Sequence, residues 1–230
     1  MAPRALGLAY SLLLFAGCAP KLQGDGVATV VERSLESFNA LDVAGPIAVE
    51  VRVDEKAAPG MHLEGDENLV RLVGWTQVDG TLHLDARGLT PVVPLRLSLV
   101  ARSLDSVVSS DGAHLTVTKV SGARVTLKAA SSARLHALEV DCDALVLDAR
   151  QGARLEAAGR ARLVEASASD GSTVVASSLE AKVAWAFADA LSAVHVSASE
   201  LVRGRALRSS EVRVHGRPAR NEVRGSLAST

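Results

Sequence analysis

The first chemistry that the sequence suggests is a covalent modification near its amino terminus. The segment Phe15-Ala16-Gly17-Cys18-Ala19 places small residues directly before a cysteine. A signal peptidase that processes lipoproteins requires this arrangement, because the scissile bond must enter a narrow intramembrane site. Phe15 stands where leucine is usual. We predict that the chain is cleaved before Cys18 and that the thiol of Cys18 carries a diacylglycerol.

The residues that precede this cysteine have the order of a secretory signal peptide. Arg4 is followed by an apolar run of about eleven residues, 5–15, and a membrane-spanning helix needs about 20. We therefore predict a signal peptide over 1–17 and a tether over 18–30. Ala19 resembles the residue found in lipoproteins sent to the outer membrane of diderm bacteria. The predicted location is the cell envelope, lipid-anchored at that membrane and facing away from the cytoplasm.

Composition limits the classes of partner and of core. The net charge of −1 over 230 residues argues against a nucleic-acid binder, which would be basic overall. Cys142 is the one cysteine besides Cys18, so no internal disulfide forms after lipidation. Aromatic residues make up 3% of the chain, which favours a thin core of small and branched side chains. We expect no cofactor and no nucleic-acid partner.

The sequence lacks the motifs that carry common enzyme chemistry. It contains no glycine-rich phosphate loop, no H-E-x-x-H, no paired cysteine ligands and no G-x-S-x-G. Carboxylates are plentiful at Asp141, Asp143, Asp148 and Asp170, but they do not recur in register. We predict a protein that is not an enzyme. A polysaccharide-active enzyme using these aspartates, or a periplasmic signalling accessory protein, remains the alternative.

The second half of the chain is a repeat. Four units align as Gly112-Ala113-His114-Leu115, Ser132-Ala133-Arg134-Leu135, Gly152-Ala153-Arg154-Leu155 and Gly171-Ser172-Thr173-Val174. Weaker copies end at Val194 and Val214. A period near 20 with short strands is typical of a β-solenoid, in which stacked turns bury a continuous core. We predict a solenoid over 106–230, with the small residues at its corners; an irregular β-sandwich is the alternative.

The first half is predicted to be β-rich over 31–105. Ala48–Val53 alternates apolar and polar residues, and Asp79-Gly80 forms a turn before a strand at Thr81–Leu84. A further strand is expected at Leu95–Leu99, and one short helix at Glu67–Val73.

A family resemblance covers Phe38 to Val214. Its residues are Arg33-x-Leu35-x-x-Phe38-x-x-Leu41-x-Val43-x-Gly45, Gly65-Asp66-Glu67-Asn68-Leu69, Asp79-Gly80-Thr81-Leu82 and Ser109-Ser110-Asp111-Gly112-Ala113. In order and spacing they resemble the auto-transporter adhesin head GIN domain family. The resemblance implies an all-β fold, a right-handed parallel β-helix preceded by a β-rich segment, in secreted or lipid-anchored bacterial proteins. It implies no catalytic residues.

Basic residues supply the candidate binding positions. The residue before each repeat Leu or Val gives a partial basic column that includes Arg134 and Arg154, with Glu156 nearby to offset their repulsion. Residues 201–224 include seven arginines and two glutamates, whereas residues 25–111 include 14 acidic and 7 basic residues. The arginines predict either a charged cap on the solenoid end, which we favour, or a face for an anionic glycan or envelope protein. The candidate face is Arg134, Arg154, Arg203, Arg205, Arg208 and Arg213.

Three other positions carry expectations about packing. His195 and His215 are expected to stack on adjacent turns, but two histidines are too few ligands for zinc, so we predict no metal site. Trp185 lies in the alternating run Val183–Phe187 and is expected to point into the core. Cys142 is expected to face inward as a small core residue.

Overall fold

The computed structural model describes residues 22–225 and 227–229, so the predicted signal peptide and Cys18 lie outside the described residues. It is nearly all β, with 65% strand and 2% helix. The single helix, α1, spans Glu67–Val70. Among the described residues, no helix has the length and apolar character needed to span a bilayer.

The strands fall into an amino-terminal group and a repeat group. The amino-terminal strands are β1 Leu22–Gln23, β2 Ala28–Ser34, β3 Ala40–Ala44, β4 Ala48–Val53, β5 Gly60–Asp66, β6 Gly74–Val78, β7 Thr81–Asp85, β8 Leu89–Thr90 and β9 Arg96–Ala101. The repeat strands are β10 Ser106–Ser110, β11 His114–Thr118, β12 Ser121–Ala129, β13 Arg134–Ala149, β14 Arg154–Ala168, β15 Thr173–Ala188, β16 Ala193–Ser197, β17 Leu201–Ala206, β18 Glu211–His215, β19 Arg220–Arg224 and β20 Leu227–Ser229. The strands predicted in both halves are confirmed, while α1 ends three residues before the predicted Val73.

The repeat strands stack in parallel as a β-helix of about six turns, which confirms the predicted fold. We call its two main surfaces the front and back faces. The front face runs β7, β3, β10, β12, the second halves of β13, β14 and β15, then β17 and β19. The back face runs β9, β4, β11, the first halves of β13, β14 and β15, then β16, β18 and β20. A short side face pairs 121–124 with 141–144, 160–163 and 180–183.

The corners between front and back faces explain the small residues of the repeat. Two successive residues take positive φ there, as in Ser131-Ser132 (51° and 64°) and Gln151-Gly152 (56° and 73°). This left-handed region favours glycine and small polar residues. Each corner also donates one N–H to the next turn, for example from Gly112 to the Ser131 carbonyl. The predicted corner positions are therefore confirmed.

The core narrows toward the carboxyl-terminal end on the front face. One inward column runs Leu127, Leu147, Ala166, Ala186 and Gly204, by register. A Cβ on Gly204 would stand 2.9 Å from the Ala186 carbonyl oxygen. This inward column of the front face therefore holds only very small side chains in the late turns, whereas valines such as Val194 and Val202 remain buried elsewhere inside them.

The first two turns of the solenoid are stacked in the opposite order to the chain. β7 pairs with β3, and β9 pairs with β4, so the later turn (81–101) lies outside the earlier one (40–53). The chain then passes back over that earlier turn, because β10 and β11 pair with its other edge. The turn of β3 and β4 is consequently enclosed on both sides.

An end layer covers part of the amino-terminal end of the solenoid. It consists of β1 on β8, β5 on β9 and β6 on β7, with β2 added to β5. Gly26 donates its N–H to the buried carboxylate of Asp66, which fastens the segment between β1 and β2. Residues 22–30, which we expected in a tether, instead belong to this layer.

Candidate binding surface

Two aromatic side chains stand on the outer surface of the front face. Trp185 and Phe187 of β15 are 46% and 41% exposed. They are two residues apart, so both rings point to the same side of the strand. Outward columns pass through them in register: Glu165, Trp185 and Arg203 in one, and Ser167, Phe187 and Arg205 in the other. We call these six residues the aromatic patch; they line one shallow groove.

The prediction that Trp185 lies in the core is wrong. Ala184, Ala186 and Ala188 occupy the inward positions of this strand, each at most 5% exposed. The register stacks Ala184 between the buried Val164 and Val202, which fixes the alanines inward and the bulkier odd-numbered residues outward. In the sequence, the large apolar residues at 183, 185 and 187 were taken as the buried positions and the alanines between them as the exposed ones.

The arginines of the aromatic patch differ in how well they are neutralised. Arg203 donates two hydrogen bonds, of 2.9 and 2.7 Å, to a Glu222 carboxylate oxygen on the next turn. This bonding lowers the pKa of Glu222 below its ordinary value. Arg205 has no carboxylate within 4 Å among the described residues. Its positive charge is therefore available to a ligand beside Phe187.

The remaining carboxyl-terminal arginines do not join this surface. Arg208 lies at a corner and donates to both carboxylate oxygens of Asp189, which lowers the pKa of Asp189. Arg213 lies on the back face and pairs with Glu211 at 2.7 Å. The predicted set thus divides into the front face, a corner and the back face rather than forming one patch.

The second basic position, Arg134 and Arg154, lies on the back face. The two are register partners on adjacent turns, as we expected. Arg154 hydrogen-bonds to Glu156, which offsets the repulsion between the arginines. Arg134 has no carboxylate partner in the described part of the chain. A shallow groove at this place also contains His114 and His136.

The last repeat is shorter than the sequence alignment implied. Val194 pairs with Val212, not with the predicted Val214, so the turn between them has 18 residues. His195 consequently lies opposite Arg213, while the rings of His195 and His215 still stack with centroids 5.5 Å apart. Burial and the charge of Arg213 lower the pKa of His195. Within the described residues, no group of three His, Cys, Asp or Glu side chains could hold a metal ion.

The four aspartates considered for catalysis are dispersed. Asp141 pairs with Arg160 at 2.8 Å on the side face, and Asp143 lies 3.8 Å from Arg162. Asp148 is on the front face, and Asp170 has the positive φ of a corner. Asp141 and Asp143 point outward from the same strand, but each lies beside its own arginine, and the other two aspartates are on different parts of the surface.

Cys142 lies on the side face and is 9% exposed. Burial, together with the charges of Asp141 and Asp143, raises the pKa of its thiol to about 11. The thiol is therefore almost entirely protonated at neutral pH and is a poor nucleophile.

The fold and its outer surfaces define an adhesin-like β-helix, in which side chains stand in columns on flat faces. The chain belongs to the family described as "Putative auto-transporter adhesin, head GIN domain", whose model matches residues 37–218. The resemblance found in the sequence is thereby confirmed. This membership also associates the chain with the cell surface or envelope.

Several solved structures share this fold. A putative adhesin from Bacteroides fragilis has a TM-score of 0.82 at 12% identity, over 90% of this chain and 97% of that one. A putative lipid binding protein from Parabacteroides distasonis gives 0.69 at 14% identity, over 91% and 99%. A putative adhesin from Parabacteroides merdae gives 0.65 at 15% identity, over 92% and 100%. Among proteins with curated functions, none matches this sequence.

Proposed function

We propose that this chain is a lipid-anchored, non-enzymatic protein of the bacterial cell envelope that binds a surface glycan through the aromatic patch. The observation that carries the proposal is the outward position of Trp185 and Phe187 beside Arg205. Contact of two large apolar rings with water is unfavourable, and a ligand that covers both rings on this flat sheet gains the free energy of removing them from water.

The chemistry of the patch suits a polymer of sugars. The faces of aromatic rings accept the C–H faces of pyranose rings, and the flanking polar groups can bond hydroxyls. Arg205, without a carboxylate partner among the described residues, adds a preference for acidic sugars. Parallel strands repeat the same spacing of about 4.8 Å from turn to turn, so an extended chain could contact several turns at once.

A binding screen tests the proposal directly. Neutral and acidic glycans are presented to the mature chain and to a Trp185→Ala/Phe187→Ala variant. We expect the variant to lose at least tenfold in affinity and to stay folded with a modestly lower melting temperature, because both side chains are about half exposed. Leu191→Ala is the matched control, since Leu191 is 75% exposed and lies outside the patch. Equal binding by wild type and the double variant would reject the patch as the site.

The same screen separates binding from catalysis. Cleavage products that disappear on an Asp→Asn change at Asp141, Asp143, Asp148 or Asp170 would replace this proposal by the polysaccharide-active alternative. Lipidation has its own test: Cys18→Ala should abolish acyl labelling and leave the precursor uncleaved. A Cys18→Ala protein that is still processed and membrane-bound would remove the anchor from the proposal.

A further inference from the structure

The end layer leaves an apolar opening at the amino-terminal end of the solenoid. A cavity of about 180 Å³ lies there. Its walls are Met61, Leu63, Val70, Val73, Leu84 and Leu97, and its rim includes Val31, Arg33, Arg71 and Trp75. Trp75 is opposite the buried Leu84 in the β6–β7 pair, so its ring stands over the core, and it is 45% exposed.

Exposed apolar side chains are concentrated in the amino-terminal part of the chain. Ten large hydrophobic residues are exposed among the described residues, and seven of them lie between 22 and 92: Leu22, Val27, Val30, Leu72, Trp75, Val78 and Val92. All seven belong to the end layer or to the loops that join it. An apolar surface concentrated at one end of a molecule indicates an interaction site.

The position of β1 connects this end to the membrane anchor. Leu22 already pairs with Leu89 in the end layer. Cys18 precedes Leu22 by four residues, which span at most about 14 Å even when fully extended. A diacylglycerol on Cys18 would therefore hold the end layer within this distance of the lipid.

Charge determines the kind of lipid surface that fits. Residues 25–111 hold 14 acids and 7 bases, so an anionic surface would repel this half. Arg71 is paired with Glu67 at 2.8 Å, which leaves Arg33 as the rim cation without a carboxylate partner in the described structure. Contact through apolar side chains with neutral phospholipid is consistent with this balance.

We propose that the end layer docks on a neutral phospholipid surface, with Trp75 and Leu72 in the headgroup region. Tryptophan favours this region because its ring is apolar and its N–H remains hydrated. The proposal rests on the lipid anchor of the proposed function for its orientation, but the surface that docks is distinct from the aromatic patch. The axis of the solenoid then projects away from the membrane.

The two tryptophans allow the docking to be measured on the intact acylated protein. Trp75 and Trp185 are separated by seven strand pairings along the front face, or about 34 Å at 4.8 Å each. Trp185→Phe leaves Trp75 as the only fluorophore, and Trp75→Phe leaves Trp185. Each variant is placed in phosphatidylethanolamine–phosphatidylcholine vesicles that contain a brominated phospholipid.

We expect the bromine atoms to quench Trp75 strongly and to leave Trp185 unquenched. Equal quenching of the two tryptophans, or none of Trp75, would overturn the docking. Mass spectrometry of the same preparation reports acylation independently. Quenching of Trp75 without acylation would retain the docking and reject the anchor, whereas acylation without quenching would retain the anchor and reject the docking.

A pair of leucines tests the contact itself. The mature chain carrying Cys18→Ser has no acyl chain, so its partition onto vesicles depends on the surface alone. Leu72→Ser should lower this partition about tenfold, since about two buried methylene equivalents are lost. Leu191→Ser, at a leucine that is 75% exposed against 51% for Leu72 and lies far from the end layer, should change it less than twofold. Equal effects of the two changes would contradict the proposal.

Discussion

Asp66 shows how one buried carboxylate can fix a whole segment. Its side chain is fully buried and accepts N–H groups from Gly26, Val92 and Val93 at 2.8 to 3.2 Å. Gly24 packs so closely that a Cβ would stand 2.2 Å from a carboxylate oxygen. Burial alone would raise the pKa of Asp66, but these backbone donors outweigh it and hold the pKa below its ordinary value.

Replacing Asp66 with asparagine should destabilise the end layer in a pH-dependent way. Because the folded-state pKa is lowered, the stabilisation from the carboxylate is complete above the unfolded pKa near 3.8 and is lost as pH falls through the lower folded pKa. We expect Asp66→Asn to reduce the melting temperature by about 5 °C at pH 7. The difference from wild type should shrink below about pH 4.

Thermal unfolding between pH 3 and 7 measures this effect. Asp143→Asn is the matched control. Asp143 is exposed, and its nearest cation, Arg162, is as far away as 3.8 Å, so its carboxylate contributes little to stability. A difference between Asp66→Asn and wild type that stays constant down to pH 3 would contradict the ionised, hydrogen-bonded carboxylate.

Two glycines of the solenoid should respond differently to alanine. Gly159 has φ of 131°, and a Cβ there would lie 2.2 Å from the Val140 carbonyl oxygen. Gly171 has φ of 75° with open space around it. Gly159→Ala should therefore cost more than about 3 kcal/mol of unfolding free energy, and Gly171→Ala about 1 kcal/mol. Urea denaturation compares the two, and similar costs would show that the close contact relaxes.

At the scale of elements, the inside of the late corners contains a short ladder of serines. Ser172, Ser192 and Ser210 are each at most 3% exposed. The hydroxyl oxygen of each accepts an N–H from the preceding turn: Ala153 to Ser172, Ser172 to Ser192, and Ser192 to Ser210. Earlier turns have alanine at this position. The ladder links consecutive turns where the front-face core has narrowed.

Ser192→Ala should weaken this link measurably. Alanine fits, since Ala153 occupies the equivalent position, but the N–H of Ser172 loses its acceptor. We expect the unfolding free energy to fall by about 1 to 3 kcal/mol, because the buried N–H is left without an acceptor. Ser132→Ala, at an exposed corner position, should change the unfolding free energy by less than about 0.5 kcal/mol. Hydrogen exchange at Ser172 would locate the loss, and unchanged protection there would refute the assignment.

The elements that could be predicted from sequence are those with strong alternation or repeated corners. Leu41, Val49, Leu82 and Leu97 lie in strands whose period is clear, and the corner pairs from Asp111 to Ala190 recur every 19 or 20 residues. The prediction put the wrong side of β15 in the core, because alanine occurs on both buried and exposed sides of a strand. The predicted pairing of Val194 with Val214 was wrong because the turn between these strands is two residues shorter than the one before it. Val196 and Val202 are six residues apart, whereas their partners Ala176 and Ala184 are eight apart. A shortened side face leaves no mark in composition.

The candidate site was predictable only in part, for a related reason. Arg203 and Arg205 were identified from a local excess of charge, but their companions Trp185 and Phe187 lie on the preceding turn. Association across turns depends on register, which a sequence fixes only when each turn has the same length. The exposed apolar end likewise depends on pairings between β1 and β8 that two-residue strands do not reveal.

At the scale of the whole molecule, opposite charge is placed at opposite ends. The acidic amino-terminal half contrasts with 201–224, where seven arginines face two glutamates. Arg203 and Arg205 belong to β17, one strand before β19 at the front-face edge, whereas Arg220 and Arg224 lie on β19 itself. The edge-cap interpretation therefore applies best to Arg220 and Arg224, and the binding interpretation to Arg205.

Arg205→Gln should weaken the binding of an anionic ligand without affecting the fold. With polygalacturonate as the probe, we expect a several-fold lower affinity and a salt dependence reduced by about one counterion. Arg160→Gln is the charge-matched control on the side face, where Asp141 already neutralises the arginine. Binding measured from 50 to 300 mM salt distinguishes the two variants. Equal salt slopes would exclude a direct contact by Arg205.

The reversed stacking of the first two turns has a consequence for the order in which this chain can fold. Residues 40–53 have no lateral neighbour earlier in the sequence, since their partners are 81–101 and 106–118. Enclosure of this turn on both edges needs residues up to 118, more than sixty positions further along the chain, and contacts so distant in sequence slow folding. Beyond residue 118, by contrast, each new turn adds to a finished template. Duplication or loss of a repeat is therefore tolerable in the distal part, whereas the proximal part can change only as one unit.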